Sequence, residues 1–313
     1  MNILSDVILP GGRSAIELSF FVLLPVMVVM LTLMRLAENW GALDWLVARV
    51  SPWLRPFGLT GLGVFAALQV NLVGFAAPIA ALAMMEQRGT SDRHLAATFA
   101  MVLAMAQANC TFPMGAMGLQ LGPTLLFSLV GGLAAAAATT YGTGRHLSAE
   151  EHLTDDTPPP HRHGSGPKGV LDVINAAGAE AFRITIGAIP LLVLSIVVVT
   201  ALRQCGAIDA LSRLLSPSLS MIGVDPVILL PALTKYLAGG TAMMGVVDSM
   251  VRHGQISPAL LNASAGFLIH PMDIPGIAIL ATAGRRVGAL WKPAALGSLV
   301  GIALRTAAHI LLT

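Results

Sequence analysis

The sequence predicts an all-α polytopic membrane protein with two inverted repeats, each of about three transmembrane helices plus a re-entrant hairpin. Three observations predict it: an apolar composition, a duplicated pattern of Gly and Pro, and the placement of positive charge. Of the 313 residues, 55% are hydrophobic and 11% charged, whereas a soluble domain has roughly 25% charged residues. This composition suits a lipid bilayer.

Long apolar runs supply the predicted membrane helices. Several approach or exceed the roughly 20 residues that cross a bilayer as a helix, including 18–36, 125–139 with its flanks, 184–202 and 293–312. Their continuity favours helices over the alternating strands of a β-barrel. The first run lacks a basic start and an A-x-A site, so we interpret it as a retained helix rather than a signal peptide.

A polar segment rich in Pro, Gly and His separates the two halves. We therefore divide the chain into membrane repeat 1 (1–141), a flexible cytoplasmic linker (142–169) and membrane repeat 2 (170–313). The linker histidines lack a regular ligand spacing, which favours a solvated linker over a metal site. They are His146, His152, His161 and His163.

The two halves match at a constant offset of 165 residues, which indicates a duplication. WGALDWLVARVSPWL (40–54) corresponds to CGAIDALSRLLSPSL (205–219), and ALQVNLVGF (67–75) to ALTKYLAGG (232–240). The same offset pairs Pro25 with Pro190, Gly58 with Gly223, Gly74 with Gly239 and Gly89 with Gly254. Further along, after a three-residue gap, Pro113 pairs with Pro275, and QANCTFPMG (107–115) is the counterpart of LIHPMDIPG (268–276).

The apolar segment 62–85 allows two topologies. If it crosses once, each half has four spans, and eight Lys and Arg residues fall on either side of the membrane. If it turns back at NLVGFAAP as a re-entrant hairpin, twelve fall on one side and only Arg13, Arg203, Arg213 and Arg252 on the other. Because positive charge concentrates on the cytoplasmic side, the second topology is favoured. It makes the repeats inverted, with the linker in the cytoplasm and both termini outside.

Two further stretches carry packing information. Residues 43–54 form an amphipathic stretch after the first span. The small residues of GGLAAAAA (131–138) are typical of close helix packing, and a homodimer interface is one place where we consider it.

Interruptions fall at matched places in the two halves, 71–78 with 236–243 and 109–113 with 271–275. Proline removes helical hydrogen bonds, and backbone freed inside a membrane must face protein or a water-filled cavity. Helix ends exposed there carry partial charges that attract polar solutes and ions. Secondary transporters use this plan repeatedly, so we predict a mid-membrane site between the repeats.

Polar side chains inside the apolar segments lie at these interruptions. We predict that Lys235 anchors an anionic group of the solute and that His270 and Asp273 couple movement to a proton or sodium ion. The other predicted substrate-binding residues are Gln69, Asn71, Asn109, Thr111, Tyr236, Thr241 and Asn262, and Gln107 lies in the same segments. A plainer alternative is that Lys235 and Asp273 neutralise each other and that the asparagines bond between helices.

Motifs typical of catalysis are missing from the sequence. No Ser/His/Asp arrangement, metal triad or nucleotide-binding loop has suitable spacing. An intramembrane hydrolase using His270 and Asp273 would need a nucleophile motif, which is also missing. We therefore expect neither an enzyme nor a bound cofactor, metal or nucleic acid. Cys110 and Cys205 are too few for a disulfide framework.

The duplicated G-[AI]-[LI]-D-x-L…SP unit, followed by a Gly-interrupted hairpin and a Pro-interrupted helix, resembles the nucleoside recognition (Gate) family of membrane proteins. Relatives of that family include the spore maturation A and B proteins, parts of concentrative nucleoside transporters and the membrane domain of ferrous iron transporters. The resemblance covers nearly the whole chain outside the linker, as two fused Gate-like units. The GTPase loop that accompanies the iron transporters is absent from the sequence.

Together these features favour an ion-coupled transporter in a bacterial-type inner membrane. Its solute would be small and polar, either anionic or zwitterionic, and nucleosides are one class that fits. The alternatives are a non-transporting structural or accessory protein, as the spore maturation resemblance allows, and an ion channel.

The inverted topology is testable by cysteine accessibility. In a background without Cys110 and Cys205, Arg88→Cys should react with an impermeant maleimide from the cytoplasmic side and Arg252→Cys from the opposite side. Arg145→Cys, in the linker, serves as the cytoplasmic reference. Labelling of positions 88 and 252 from the same side would reject inverted repeats.

Overall fold

The computed structural model describes residues 8–150, 169–207, 210, 213, 214 and 225–313. These residues form only helices and their connections, as predicted. The predictions for residues 151–168, which include His152, His161 and His163, and for 215–219 lie outside the described residues. The helices are α1 (Leu9–Asn39), α2 (Ala42–Leu54), α3 (Gly61–Leu72), α4 (Pro78–Gln87), α5 (Asp92–Ala104), α6 (Ala108–Gly115), α7 (Leu121–Ala138), α8 (Val170–Gln204), α9 (Leu229–Ala238), α10 (Gly240–Arg252), α11 (Pro258–Leu268), α12 (Ile274–Ala281), α13 (Arg285–Ala289) and α14 (Trp291–Leu312).

Five helical segments of the described chain are long and apolar enough to cross a membrane, which makes this a multi-pass membrane protein. They are Leu9–Asn39, Asp92–Gly115, Leu121–Thr143, Val170–Leu194 and Trp291–Leu312. The sequence predicts about six spans. The remaining predicted span is divided between α11 and α12, each too short to cross alone.

The spans differ sharply in burial. In Asp92–Gly115, 94% of the most apolar stretch is buried, against 28% in Leu9–Asn39 and 25% in Val170–Leu194. The helices α1 and α8 pack on each other, with the rings of Phe20 and Phe182 in edge contact at 6.2 Å. They expose large apolar side chains such as Phe21 and Leu194, which suits contact with lipid. The interrupted pair α5–α6 is therefore central and the pair α1–α8 peripheral.

Segment 62–85 forms the predicted hairpin rather than one continuous helix. Its two helices, α3 and α4, pack against each other across a turn at Gly74. The matching hairpin of the second half, α9–α10, turns at Gly239. Both glycines have positive φ, 147° and 92°, a conformation that side chains disfavour. Each glycine thus allows its hairpin to turn.

Helix ends recur at matched positions in the two halves. Gly41 and Gly206 have φ of 69° and 72°, and Gly89 and Gly254 have φ of 72° and 68°. Both pairs are separated by the offset of the sequence match, 165 residues. The matches support the duplication, and the inverted orientation of the repeats stays a prediction.

The first interruption lies earlier than the sequence predicts. The chain leaves the helix at Met105–Gln107, whereas residues 109–113 are helical within α6. Pro113 sits inside that short helix instead of ending it. The second interruption, 269–273, overlaps the predicted 271–275.

Glycines bring α7 and α14 into close contact. A Cβ on Gly301 would collide with the backbone carbonyl of Gly131, and one on Gly132 would lie 2.6 Å from the Met105 side chain. Small residues of 131–138 therefore pack closely against other helices of the same chain. A homodimer interface stays a prediction.

Charged side chains link the first hairpin to the second half. The Arg286 guanidinium donates to Asp92 Oδ1 at 2.6 Å and to the Thr90 carbonyl at 2.7 Å. Glu86 Oε2 accepts from the Val287 backbone N–H at 3.0 Å. Both contacts lie near the end of α4 and the start of α13, so they tie the base of the first hairpin to α13.

The predicted amphipathic stretch forms α2. Its buried side carries Leu43 and Val47, whereas Trp45 and Trp53 on the other side are 68% and 77% exposed. Exposed tryptophans beside a membrane span are typical of the membrane–water interface.

The close contact of α7 and α14 is testable with a matched pair of substitutions. Gly301→Ala should lower the midpoint of thermal unfolding, because its Cβ meets backbone and an overpacked core typically loses about 1–3 kcal/mol. Gly178→Ala, within α8, meets nothing within 4 Å and should leave the midpoint unchanged or raise it. Equal midpoints for the two variants would contradict this packing.

Candidate functional site

The second hairpin turn meets both helix interruptions in the buried centre of the protein, and the first hairpin turn lies beside the first interruption. The turn at Gly239 lies against Pro275 at the start of α12, and Gly240 lies against Gln107 at the start of α6. The turn at Gly74 lies against Asn109, also in α6. A Cβ on Gly240 would overlap the Gln107 side-chain amide unless that side chain moved. The four interruptions predicted from the sequence thus converge.

A chain of side-chain hydrogen bonds stabilises the first interruption. The Ala106 backbone N–H donates to Ser128 Oγ at 2.7 Å, and Ser128 Oγ in turn donates to Asn71 Oδ1 at 2.8 Å. Ser128 belongs to α7 and Asn71 to the first hairpin. The predicted site residue Asn71 therefore supports the interruption indirectly, by holding the Ser128 hydroxyl that accepts from the Ala106 N–H.

Asp273 organises the second interruption. Its Oδ1 accepts from the Gly276 backbone N–H at 2.7 Å, which caps the N-terminus of α12. Its Oδ2 accepts from Lys235 Nζ, at 2.5 Å. Lys235 lies in the last turn of α9, so this ion pair joins the tip of the second hairpin to the broken helix.

The ion pair of Lys235 and Asp273 is almost wholly removed from water. The Lys235 side chain is 0% exposed and the Asp273 side chain 3% exposed. Two buried charges stabilise each other only while both are present, since loss of either leaves an uncompensated charge. The pairing predicted as the plainer alternative is thus present in this structure, and it occupies both groups.

His270 contributes a buried donor. Its Nδ1 accepts from the Met272 backbone N–H at 3.2 Å, which places the proton of the neutral ring on Nε2. That Nε2 atom is buried and has no hydrogen-bond partner among the described residues. The ring of Tyr236 lies 6.1 Å from the His270 ring, and the Tyr236 hydroxyl donates to the Phe267 carbonyl.

Three side-chain amides add further unused polar atoms. In the described part of the chain, Gln69 Oε1, Gln107 Nε2 and Asn109 Oδ1 are buried without a partner. The Asn109 amide nitrogen donates to Thr241 Oγ1 at 3.2 Å, which links α6 to α10 across the two halves. A buried polar atom without a partner is destabilising, so the atoms of this kind beside the interruptions are candidates for binding a polar solute.

Two predicted site residues are engaged by backbone. Thr111 Oγ1 donates to the Gln107 carbonyl one helical turn earlier, at 2.9 Å. The Asn262 side chain accepts from the Gln120 N–H at 2.7 Å and donates to the carbonyls of Gly118 and Pro258. The Asn262 contacts correspond to the helix-bonding alternative.

Sequence reasoning missed Arg305. This arginine is fully buried in α14, and its Nη1 donates to the Ala104 carbonyl at 2.5 Å and to the Ile269 carbonyl at 3.1 Å. Both carbonyls lie at the ends of interrupted helices. The available signal was an arginine inside the apolar run 293–312, since an ionisable residue at membrane depth is costly.

Metal ligands do not cluster in this region. Among the described residues, no group of three or more His, Cys, Asp or Glu side chains is arranged to hold a metal ion.

Comparison with known proteins identifies a family-level match over part of the chain. The model of the family described as "Nucleoside recognition" (Gate) matches residues 20–124, which confirms the predicted resemblance for the first half. The relation to spore maturation proteins stays a prediction. No curated protein sequence matches the chain.

Solved structures match almost the whole chain in fold. A variant of CNTnw, a concentrative nucleoside transporter, in an outward-facing state is 18% identical, with 99% of this chain and 85% of that chain covered at a TM-score of 0.69. CNTnw in an inward-facing substrate-bound state is 17% identical, with coverages of 98% and 84% and a TM-score of 0.69. A CNTnw variant in an intermediate state is 18% identical, with coverages of 93% and 76% and a TM-score of 0.62. The chain therefore shares the fold of that transporter.

A double-mutant cycle measures the coupling of the central ion pair. Lys235→Met alone should cost about 3–5 kcal/mol of folding stability, because it leaves the Asp273 carboxylate buried and unpaired. Lys235→Met combined with Asp273→Asn should recover at least half of that loss, since Asn retains the helix cap. Chemical or thermal unfolding in detergent provides the free energies. Additive losses would show that the two side chains do not interact.

Proposed function

We propose that this protein moves a small polar solute, nucleoside-like in its hydrogen-bonding groups, across the membrane through the site where the four interruptions meet. The observation that carries the proposal is the set of buried, unpartnered polar atoms on Gln69, Gln107, Asn109 and His270. Side-chain amides and an imidazole N–H offer both donors and acceptors to a solute. A base or a sugar presents the complementary groups.

Helix ends add to the polarity of the proposed site. Three helices, α6, α10 and α12, have their N-termini at the interruptions. Unbonded N–H groups and the helix dipole give such ends a partial positive charge, which favours an anionic or electron-rich part of a solute. Of these three N-termini, only that of α12 is capped by a side chain, which is Asp273.

The ion pair gives the proposal its coupling step. While Asp273 accepts from Lys235, the ammonium group is not free to bind an anionic group of a solute. A proton or a sodium ion that neutralises Asp273 would release Lys235 toward the solute. Ion binding and solute binding would then favour each other, as reciprocal linkage requires.

The resemblance to concentrative nucleoside transporters in fold, and the partial match to the nucleoside recognition family, support nucleosides as the first solutes to test. A bacterial-type inner membrane is the proposed location. The rival is a non-transporting structural role, which the mutual neutralisation of Lys235 and Asp273 favours.

Transport into proteoliposomes tests the proposal. Purified protein should accumulate a labelled nucleoside, a nucleoside monophosphate or a zwitterionic amino acid under an imposed proton or sodium gradient. Lys235→Met should reduce binding of the anionic members of this panel by at least about tenfold, the loss typical of a charge-assisted contact. Asp273→Asn should retain binding but make uptake independent of the gradient.

Matched controls separate these effects from general damage. Lys292→Met removes an exposed lysine, and Asp248→Asn removes a carboxylate paired with Arg252 on the same helix. Both should transport like the unmodified protein. Two results together would favour the structural role. The folded, unmodified protein would take up no member of the panel, and cells would grow normally when the site residues are replaced by apolar ones.

A further inference from the structure

Arg305 connects two carbonyls at the ends of the interrupted helices, one in each half. Its Nη1 donates to Ala104 and to Ile269. Ala104 is the last residue of α5, and Ile269 directly follows the last residue of α11. One guanidinium nitrogen therefore bridges the ends of both interrupted helices.

The electrostatics of this contact explain how an arginine is tolerated there. The end of each helix carries roughly −0.5 of an elementary charge, so two helix ends together offset about one positive charge. Among the described residues, its contacts to acceptors are these two carbonyls, and its Nε and Nη2 atoms are buried without a partner. The arginine thus depends on both helix ends at once.

The packing around Arg305 leaves it little freedom. Gly131 of α7 lies against the Cγ and Cδ atoms of Arg305, where any Cβ would overlap. Gly266 of α11 lies against the backbone of α14 at Arg305 and Thr306, with 2.6 Å between its would-be Cβ and Thr306 Cα. Glycines on two neighbouring helices therefore admit this side chain and hold it in place.

We infer that Arg305 is a positioning residue that fixes the two interruptions, 105–107 and 269–273, relative to each other. Among the described residues, its hydrogen bonds go to backbone carbonyls and not to the side chains of the predicted site. Gln107 lies in one interruption and His270 and Asp273 in the other, so the relative position of these groups depends on the bridge. That these groups bind a solute rests on the proposed function. The bridge itself is testable without transport.

Hydrogen exchange measured by mass spectrometry in detergent tests the bridge. In Arg305→Met, the amides of 105–107 and of 269–273 should both exchange at least about tenfold faster, because losing one donor releases both helix ends. Arg305→Lys keeps the charge but replaces the planar fork with a compact ammonium. It should restore protection at no more than one of the two segments.

A control with the same chemistry lies elsewhere in the molecule. Arg286→Met also removes an arginine that joins the two halves, through Asp92 and Thr90. It should accelerate exchange near 86–92 and leave both interruptions protected. Both variants would lower the unfolding temperature. The test therefore depends on which segments exchange hydrogen faster.

Different results would overturn the Arg305 bridge and the proposed transport. Faster exchange at only one interruption, or at neither, in both Arg305 variants would overturn the inference. If Arg305→Met does not fold, Arg305→Lys alone decides, and full protection of both segments in it would overturn the bridge. If both segments respond but the unmodified protein transports nothing, the bridge stands and the proposed function fails. In a transporting protein, Arg305→Lys should raise the solute KM about tenfold with a smaller effect on maximal rate.

Discussion

Every helix that stops inside an apolar bundle leaves backbone N–H and C=O groups without helical partners. The structure depends on how those groups are satisfied, because an unpaired carbonyl or N–H in such surroundings costs as much as a lost hydrogen bond. Here side chains from other helices provide the partners: Ser128 for the Ala106 N–H, Asp273 for the Gly276 N–H, and Arg305 for the Ala104 and Ile269 carbonyls. The interruptions are thus built by tertiary contacts rather than by local sequence.

This origin explains what the sequence could and could not predict. The all-α class, the hairpin at 62–85 and the convergence of the interruptions follow from hydropathy and from Gly and Pro, which act locally. The position of the first interruption does not, because the chain leaves the helix where the hydroxyl of Ser128, 22 residues away, takes over the Ala106 N–H. Pro113 lies inside α6, which has only eight residues, so the missing proline N–H removes one of few intrahelical hydrogen bonds. No periodicity reveals such a contact.

The side chains at the site show the same division. Lys235, His270 and Asp273 are predictable as ionisable residues in apolar segments, and they do lie at the centre. Asn262 and Thr111 have the same sequence signal but bond to nearby backbone. A polar residue in a membrane segment therefore marks a place where backbone or solute needs a partner, and only the three-dimensional contacts separate the two uses. Arg305 serves backbone, since it donates to two carbonyls.

The bridge made by Arg305 also constrains the order in which the protein is assembled. Arg305 follows Ala104 by 201 residues, which corresponds to roughly 10–40 s of synthesis at about 5–20 residues per second. Until α14 is made, the end of α5 lacks its final donor, although α5 and the first hairpin have already been synthesised. The first half therefore waits in an incompletely bonded form during biogenesis, and the second half, through its last described helix, completes the interior of the first.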